Sequence, residues 1–87
     1  MMNAGLVAEL KALVLDAAEK PTPAGGLGDD EALFGPDSRL ALDSLDALQV
    51  SMAVQQRYGV RMADSKQTRR ALASIACLAK HLVERGA

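Results

Sequence analysis

The sequence has one cysteine, Cys77, one histidine, His81, no tryptophan, and only two aromatic rings, Phe34 and Tyr58. A lone cysteine excludes a disulfide within the chain. One cysteine and one histidine cannot build a structural zinc site. His81 is the only imidazole that could serve a nucleophilic serine as base, and Ser44 lacks the Gly-x-Ser-x-Gly elbow. These absences argue against an enzyme. No segment alternates like a strand, and there is no internal repeat or low-complexity tract. The N-terminal stretch lacks a basic region, and Glu9 and Lys11 interrupt its apolar run, so it does not read as a signal peptide. No stretch approaches a membrane span. A soluble cytoplasmic protein is the expectation.

What remains is one core's worth of aliphatic residues. Apolar residues make up 49% of 87 residues, sixteen of them alanine. That length predicts a single domain over 1–87. A chain so short buries only about 60% of its unfolded surface. A core of Leu, Val, Met and Ala can shift around a guest more easily than interlocked rings can. The net charge of −1 points to no partner, but the charges are unevenly spread. Residues 29–46 hold six acids and one base, whereas residues 57–85 hold seven bases and two acids. Such asymmetry suits docking, and it equally suits a solvated surface.

Leu6, Leu10, Leu13, Val14 and Ala17 recur at helical spacing and predict a first helix from Ala4 to Glu19, stopped by Pro21 and Pro23. Residues 20–42 form a long connection rich in Pro, Gly and Asp, with Leu33 and Phe34 as anchors over the core. A second helix starts at Asp43 or Ser44 and runs to Tyr58, with Gly59 as its C-terminal cap. Asp64 or Ser65 can cap a short third helix across Lys66 to Arg70. Ser74 can cap a fourth, where Ile75, Leu78, Ala79 and Leu82 form the stripe and Gly86 ends the helix. Cys77 is expected to be a packing residue of that helix. The fold class is all-α, with three main helices and one short one.

The stretch "LALDSLDAL" at residues 40–48 sets a serine between two aspartates at the start of the second helix. Backbone N–H groups there have no intrahelical partner, and the helix dipole favours negative charge. A phosphate ester on Ser44 would sit well. A plain helix cap is the competing use: Ser and Asp are both good caps, and Asp43 to Asp46 has capping-box spacing. The same helix carries two apolar stripes. Ala47, Val50, Val54 and Tyr58 should face the core. Leu45, Leu48 and Met52 lie around the other side, flanked by Asp46 and Gln49. This second stripe is either a docking face, a lid over a cavity, or a surface covered by the long connection.

The stretch "LFGPDSRLALDSLDALQVSMAVQQRYGVRM" resembles the acyl carrier protein family, through Asp43-Ser44-Leu45, the upstream Leu33-Phe34-Gly35 and the downstream Tyr58-Gly59-Val60. The likeness extends over roughly Leu6 to Leu82. In detail it looks like the stand-alone carriers of aryl polyene and related type II polyketide or fatty-acid systems. It implies a four-helix bundle of acyl-carrier type and no catalytic residue. It implies a covalent 4′-phosphopantetheine on Ser44, with Asp43 supporting its attachment. The arm's thiol would hold acyl intermediates as thioesters. The implied partners are a phosphopantetheinyl transferase and the ketosynthase, ketoreductase, dehydratase or acyl ligase of a type II system, with docking through Leu45, Asp46, Leu48, Gln49 and Met52. A monomer is implied, with no membrane insertion and no metal. Arg57, Arg61, Lys66, Arg69 and Arg70 could meet the phosphates of a nucleic acid, but no aromatics interleave them and the acidic half would be repelled, so no nucleic acid is expected. An aminoacyl carrier loaded by an adenylating ligase stands within the same family. An unmodified helical adaptor stands outside it. One departure is plain: Gln49, Gln55, Gln56 and Arg57 replace the acids that many carriers have on this helix.

Overall fold

The computed structural model describes residues 4–35, 38–62 and 65–85. Four helices follow one another: α1 (Ala4–Ala17), α2 (Ser44–Tyr58), α3 (Ser65–Ala71) and α4 (Ile75–Glu84). The described residues contain no strand, only an isolated parallel bridge between Phe34 and Leu42. The all-α expectation holds. α1 packs on both α2 and α4, and the short α3 packs on α4 and α2.

One cluster of buried side chains joins the helices. Leu6, Leu10 and Val14 of α1 meet Val50 and Val54 of α2 and Leu78 and Leu82 of α4. Ala47 and Tyr58 pack against it from the same face of α2, as their spacing predicts. Val7 and Leu15 are also buried, so the buried face of α1 is wider than the predicted stripe.

α1 ends at Ala17, two residues earlier than expected and before either proline. Glu19 takes a left-handed conformation (φ 56°). The Lys20 N–H donates to the Leu15 carbonyl at 2.9 Å, and the Glu19 N–H to the Asp16 carbonyl at 3.1 Å. This is a Schellman ending with glutamate where glycine is usual. α2 closes on Gly59 (φ 70°), whose N–H reaches the Gln55 carbonyl. α4 is capped by Ser74, whose hydroxyl oxygen accepts from the Cys77 N–H at 3.1 Å. Cys77 itself is exposed, contrary to expectation. The buried side of α4 is set by Ile75, Leu78, Ala79 and Leu82, and position 77 points away from that face. Asp64 and Gly86, expected to bound α3 and α4, lie outside the described residues; Ser65 is the first residue of α3.

The long connection is tied down along its length. Leu33 is fully buried, and Phe34 packs against the core from its edge. Leu27, Leu40 and Leu42 are buried with them, which the sequence did not mark. The backbone is also fastened to the far helices. The Leu33 N–H donates to the Ala73 carbonyl at 3.2 Å, and the Ala76 N–H donates to Asp29 at 2.8 Å. Arg39 clamps the outer part: it donates to both Glu31 carboxylate oxygens at 2.6 Å and to the carbonyls of Ala24 and Gly26 at 2.8 Å. Glu31 also accepts from the Gly28 N–H at 3.0 Å. Arg39 first, and then this backbone N–H, hold the Glu31 carboxyl down at about 2.

Candidate functional site

The connection delivers its last residues to α2 in a fixed order. The Ser38 hydroxyl oxygen accepts from the N–H groups of Leu40 and Ala41, at 3.1 and 3.2 Å. Ala41 is left-handed (φ 48°). That turn lets Leu40 and Leu42 both point inward. The Leu42 N–H donates to the Leu33 carbonyl at 3.1 Å, which fixes where Asp43 begins.

Asp43, not Ser44, is the N-cap of α2. The Asp46 N–H donates to Asp43 Oδ1 at 3.0 Å, and the Asp43 N–H donates to Asp46 Oδ2 at 3.1 Å. This reciprocal box answers the ambiguity in the sequence, because both carboxylates are engaged in starting the helix. The Asp43 carboxyl is held below the ordinary carboxylate range, foremost by the Asp46 N–H; the cation that acts on it is Lys20. Ser44, the first residue of the helix, is exposed. Among the described residues its hydroxyl makes no hydrogen bond. It is therefore available for chemistry rather than for capping.

Ser44 also sits on the rim of a cavity of about 850 Å³, open on one side. Small-molecule sites occupy roughly 300–1,000 Å³. The long connection contributes Phe34 and Leu42 to its wall. α2 contributes Ala47, Leu48 and Ser51 beyond the serine. The opposite wall carries Met62, Thr68, Arg69 and Leu72, from α3 and its flanks. The lining is predominantly apolar. None of these opposite-wall residues is marked by the serine motif. Each reaches the site through the packing of α3 on α2, and the sequence reads Arg69 only as one of several bases that could meet phosphates, not as a neighbour of Ser44.

The second stripe of α2 is uncovered. Leu45, Leu48 and Met52 are 62%, 55% and 52% exposed, whereas Val50 and Val54 are 1% and 0%. The long connection does not lie over it. Leu48 alone of the three turns partly toward the cavity. Gln49 is exposed beside it and Asp46 is half-buried by its capping role. Arg57 is not free at the end of the helix: it pairs with Glu9 of α1 at 2.5 Å. Glu9 first and the neighbouring Tyr58 second raise the Arg57 pKa.

His81 lies on α4 with its Nε2 enclosed and unpartnered, and it does not line the cavity beside Ser44. Among the described residues no cluster of His, Cys, Asp and Glu could hold a metal ion. None of the described helices is long and apolar enough to cross a membrane. No protein-family profile, curated protein or solved structure matches the chain.

Proposed function

We propose that this chain is an acyl carrier protein with a bundle of acyl-carrier type, and that Ser44 carries a 4′-phosphopantetheine arm. One observation supports this above the others. The serine of Asp43-Ser44-Leu45 is released from capping by the Asp43–Asp46 box and stands exposed at a helix N-terminus, on the rim of an apolar cavity. Unpaired N–H groups at that terminus favour a phosphodiester.

In the attachment step the Ser44 hydroxyl oxygen bonds to the phosphorus that carries the pantetheine of coenzyme A. The bond from that phosphorus to the adenosine bisphosphate breaks. The hydroxyl proton leaves to a base of the transferase. The thiol at the end of the arm would then carry an acyl group as a thioester. The arm tethers its cargo, so each meeting with an enzyme of a type II polyketide, aryl polyene or fatty-acid system is delivery at high local concentration. The exposed stripe of Leu45, Leu48 and Met52, beside Asp46 and Gln49, is the face that such enzymes would meet. Val54, on the inward face of the same helix, belongs to the core.

The exposed stripe also favours a second reading, an unmodified helical adaptor. One experiment separates the two. The chain is incubated with a phosphopantetheinyl transferase and coenzyme A and weighed by mass spectrometry. A carrier gains one arm, and Ser44→Ala gains none. An unchanged mass with a broadly active transferase refutes the carrier, and loading of Ser44→Ala refutes the site. Offering a carrier acyl or aminoacyl groups with their ligases then distinguishes an acyl from an aminoacyl carrier.

A further inference from the structure

The cavity beside Ser44 is lined by one carboxylate, Asp43, and one guanidinium, Arg69. Its carboxylate, Asp43, is bound to the Asp46 N–H at 3.0 Å, and Asp46 is returned to the Asp43 backbone. Its Ser51 hydroxyl donates back to the Leu48 carbonyl at 2.8 Å. Across the cavity stands Arg69, on the α3 wall. The ion pairs of the described residues use Lys11, Arg39 and Arg57, and Arg69 has no carboxylate partner among them. Nor does it act on Asp43, whose cation is Lys20. A guanidinium with two parallel donors, on a wall it shares with Met62, Thr68 and Leu72, is suited to a planar carboxylate. The leucines, Phe34 and Met62 around it are suited to a hydrocarbon chain.

We infer that this cavity takes an acyl guest bearing a carboxylate, with the chain against Leu42, Leu48 and Leu72 and the carboxylate on Arg69. On the carrier reading, on which its use for cargo rests, the guest is an acyl chain whose free end is acidic. The site itself is a property of the unmodified chain, so it is tested without the arm.

The unmodified protein is titrated with sodium octanoate, with 1-octanol and with inorganic phosphate, following the backbone amides of Leu48, Ser51 and Leu72 by NMR. Octanoate is expected to bind at least as tightly as octanol, although octanol is the more apolar. Arg69→Gln should weaken octanoate about fivefold, as the loss of a partly exposed charge-assisted pair does, and leave octanol unchanged. Arg69→Lys should keep part of the preference. Arg69 is exposed, so both variants should melt like the parent. Loss of octanoate and octanol binding together in Arg69→Gln, or no loss of either, overturns the inference. Phosphate binding as tightly as octanoate would show that Arg69 reads a bare anion such as the arm's phosphodiester, and overturns the acyl assignment. Octanoate binding in a chain that a transferase cannot load keeps the site and removes the carrier reading. Loading without a carboxylate preference does the reverse.

Discussion

The two sides of α2 make opposite demands on the same substitution. Val54 is fully buried, and Val50 is 1% exposed. Burial of a valine is worth about 1.5–3 kcal/mol, and an enclosed hydroxyl without a partner costs about 1–3 kcal/mol more. A helical serine can bond back to the preceding turn, which trims the second cost. Val54→Ser should therefore lose about 3 kcal/mol. A domain of this size has about 5–15 kcal/mol in all. Its melting temperature moves about 4–8 °C per kcal/mol, so Val54→Ser and Val50→Ser should fall by about 12 °C or more. Leu48 and Met52 are 55% and 52% exposed, so less than half of their burial is at stake. With a small helix-propensity loss, Leu48→Ser and Met52→Ser should cost about 1 kcal/mol each, a fall of only a few degrees. Thermal melts by circular dichroism on the four variants read this directly. If Leu48→Ser and Met52→Ser melt as low as Val54→Ser, the second stripe is core and the docking face must lie elsewhere. If the melts separate as expected, turnover by a partner ketosynthase should fall severalfold for Leu48→Ser and Met52→Ser, and unchanged turnover would reject the stripe as a docking face.

Ala41→Gly should raise the melting temperature by a few degrees, because a left-handed alanine costs about 1–2 kcal/mol and glycine gives back only about 0.5–1 kcal/mol of that as chain entropy; a lower melt would refute the strain at φ 48°. Glu31 titrates at about 2 folded against an ordinary 4.5, so the unfolded chain binds the proton first. The stability it confers is complete above about pH 4.5 and is lost as pH falls toward about 2; Glu31→Gln should flatten that part of the acid melt, and an unchanged acid profile would show that the Arg39 clamp holds nothing. Asp43→Asn keeps a good N-cap while removing the charge beside Ser44, so arm attachment should slow while melting barely moves, and equal attachment rates would deny Asp43 a role in transfer. An octanoyl cargo should raise the melting temperature over the bare arm, since each methylene taken into the cavity adds up to about 0.8 kcal/mol; no rise with increasing chain length would mean that the cargo stays outside.

Much of the helical frame was legible because it is written locally. The inward stripe of Ala47, Val50, Val54 and Tyr58 and the four-residue rhythm of Leu6, Leu10 and Val14 each lie within one helix, and periodicity alone reveals them. The end of α1 was not legible, because a glutamate carries no sign that it will turn left-handed; what turns it is the Schellman pair of bonds to Leu15 and Asp16. The anchoring of the long connection was half legible. Leu33 and Phe34 stand out from their neighbours, but Leu27 is hidden among glycines, and Leu40 and Leu42 share an inward direction only through the left-handed Ala41 between them. Cys77 was misplaced because cysteine is commonly buried, while its position on α4 put it outside the stripe that its neighbours define.

The candidate site shows the same division between local and distant signals, and there the division has a chemical consequence. Asp43 and Asp46 lie three residues apart, so capping-box spacing could be read from the sequence, and the site looks acidic on the page. Folding arranges these charges in two steps. The box binds both carboxylates to backbone N–H groups, which fixes them at the start of the helix. The packing of α3 on α2 then brings Arg69, twenty-five positions beyond Ser44, onto the facing wall. The serine, still flanked by its two carboxylates, thus stands at a helix N-terminus in a cavity that also holds a guanidinium without a carboxylate partner among the described residues. The local signals supply the acids and engage them; the tertiary contact supplies the base. An anionic group in the cavity would meet the Arg69 guanidinium on the α3 side, with the Asp43 carboxylate still charged beside Ser44.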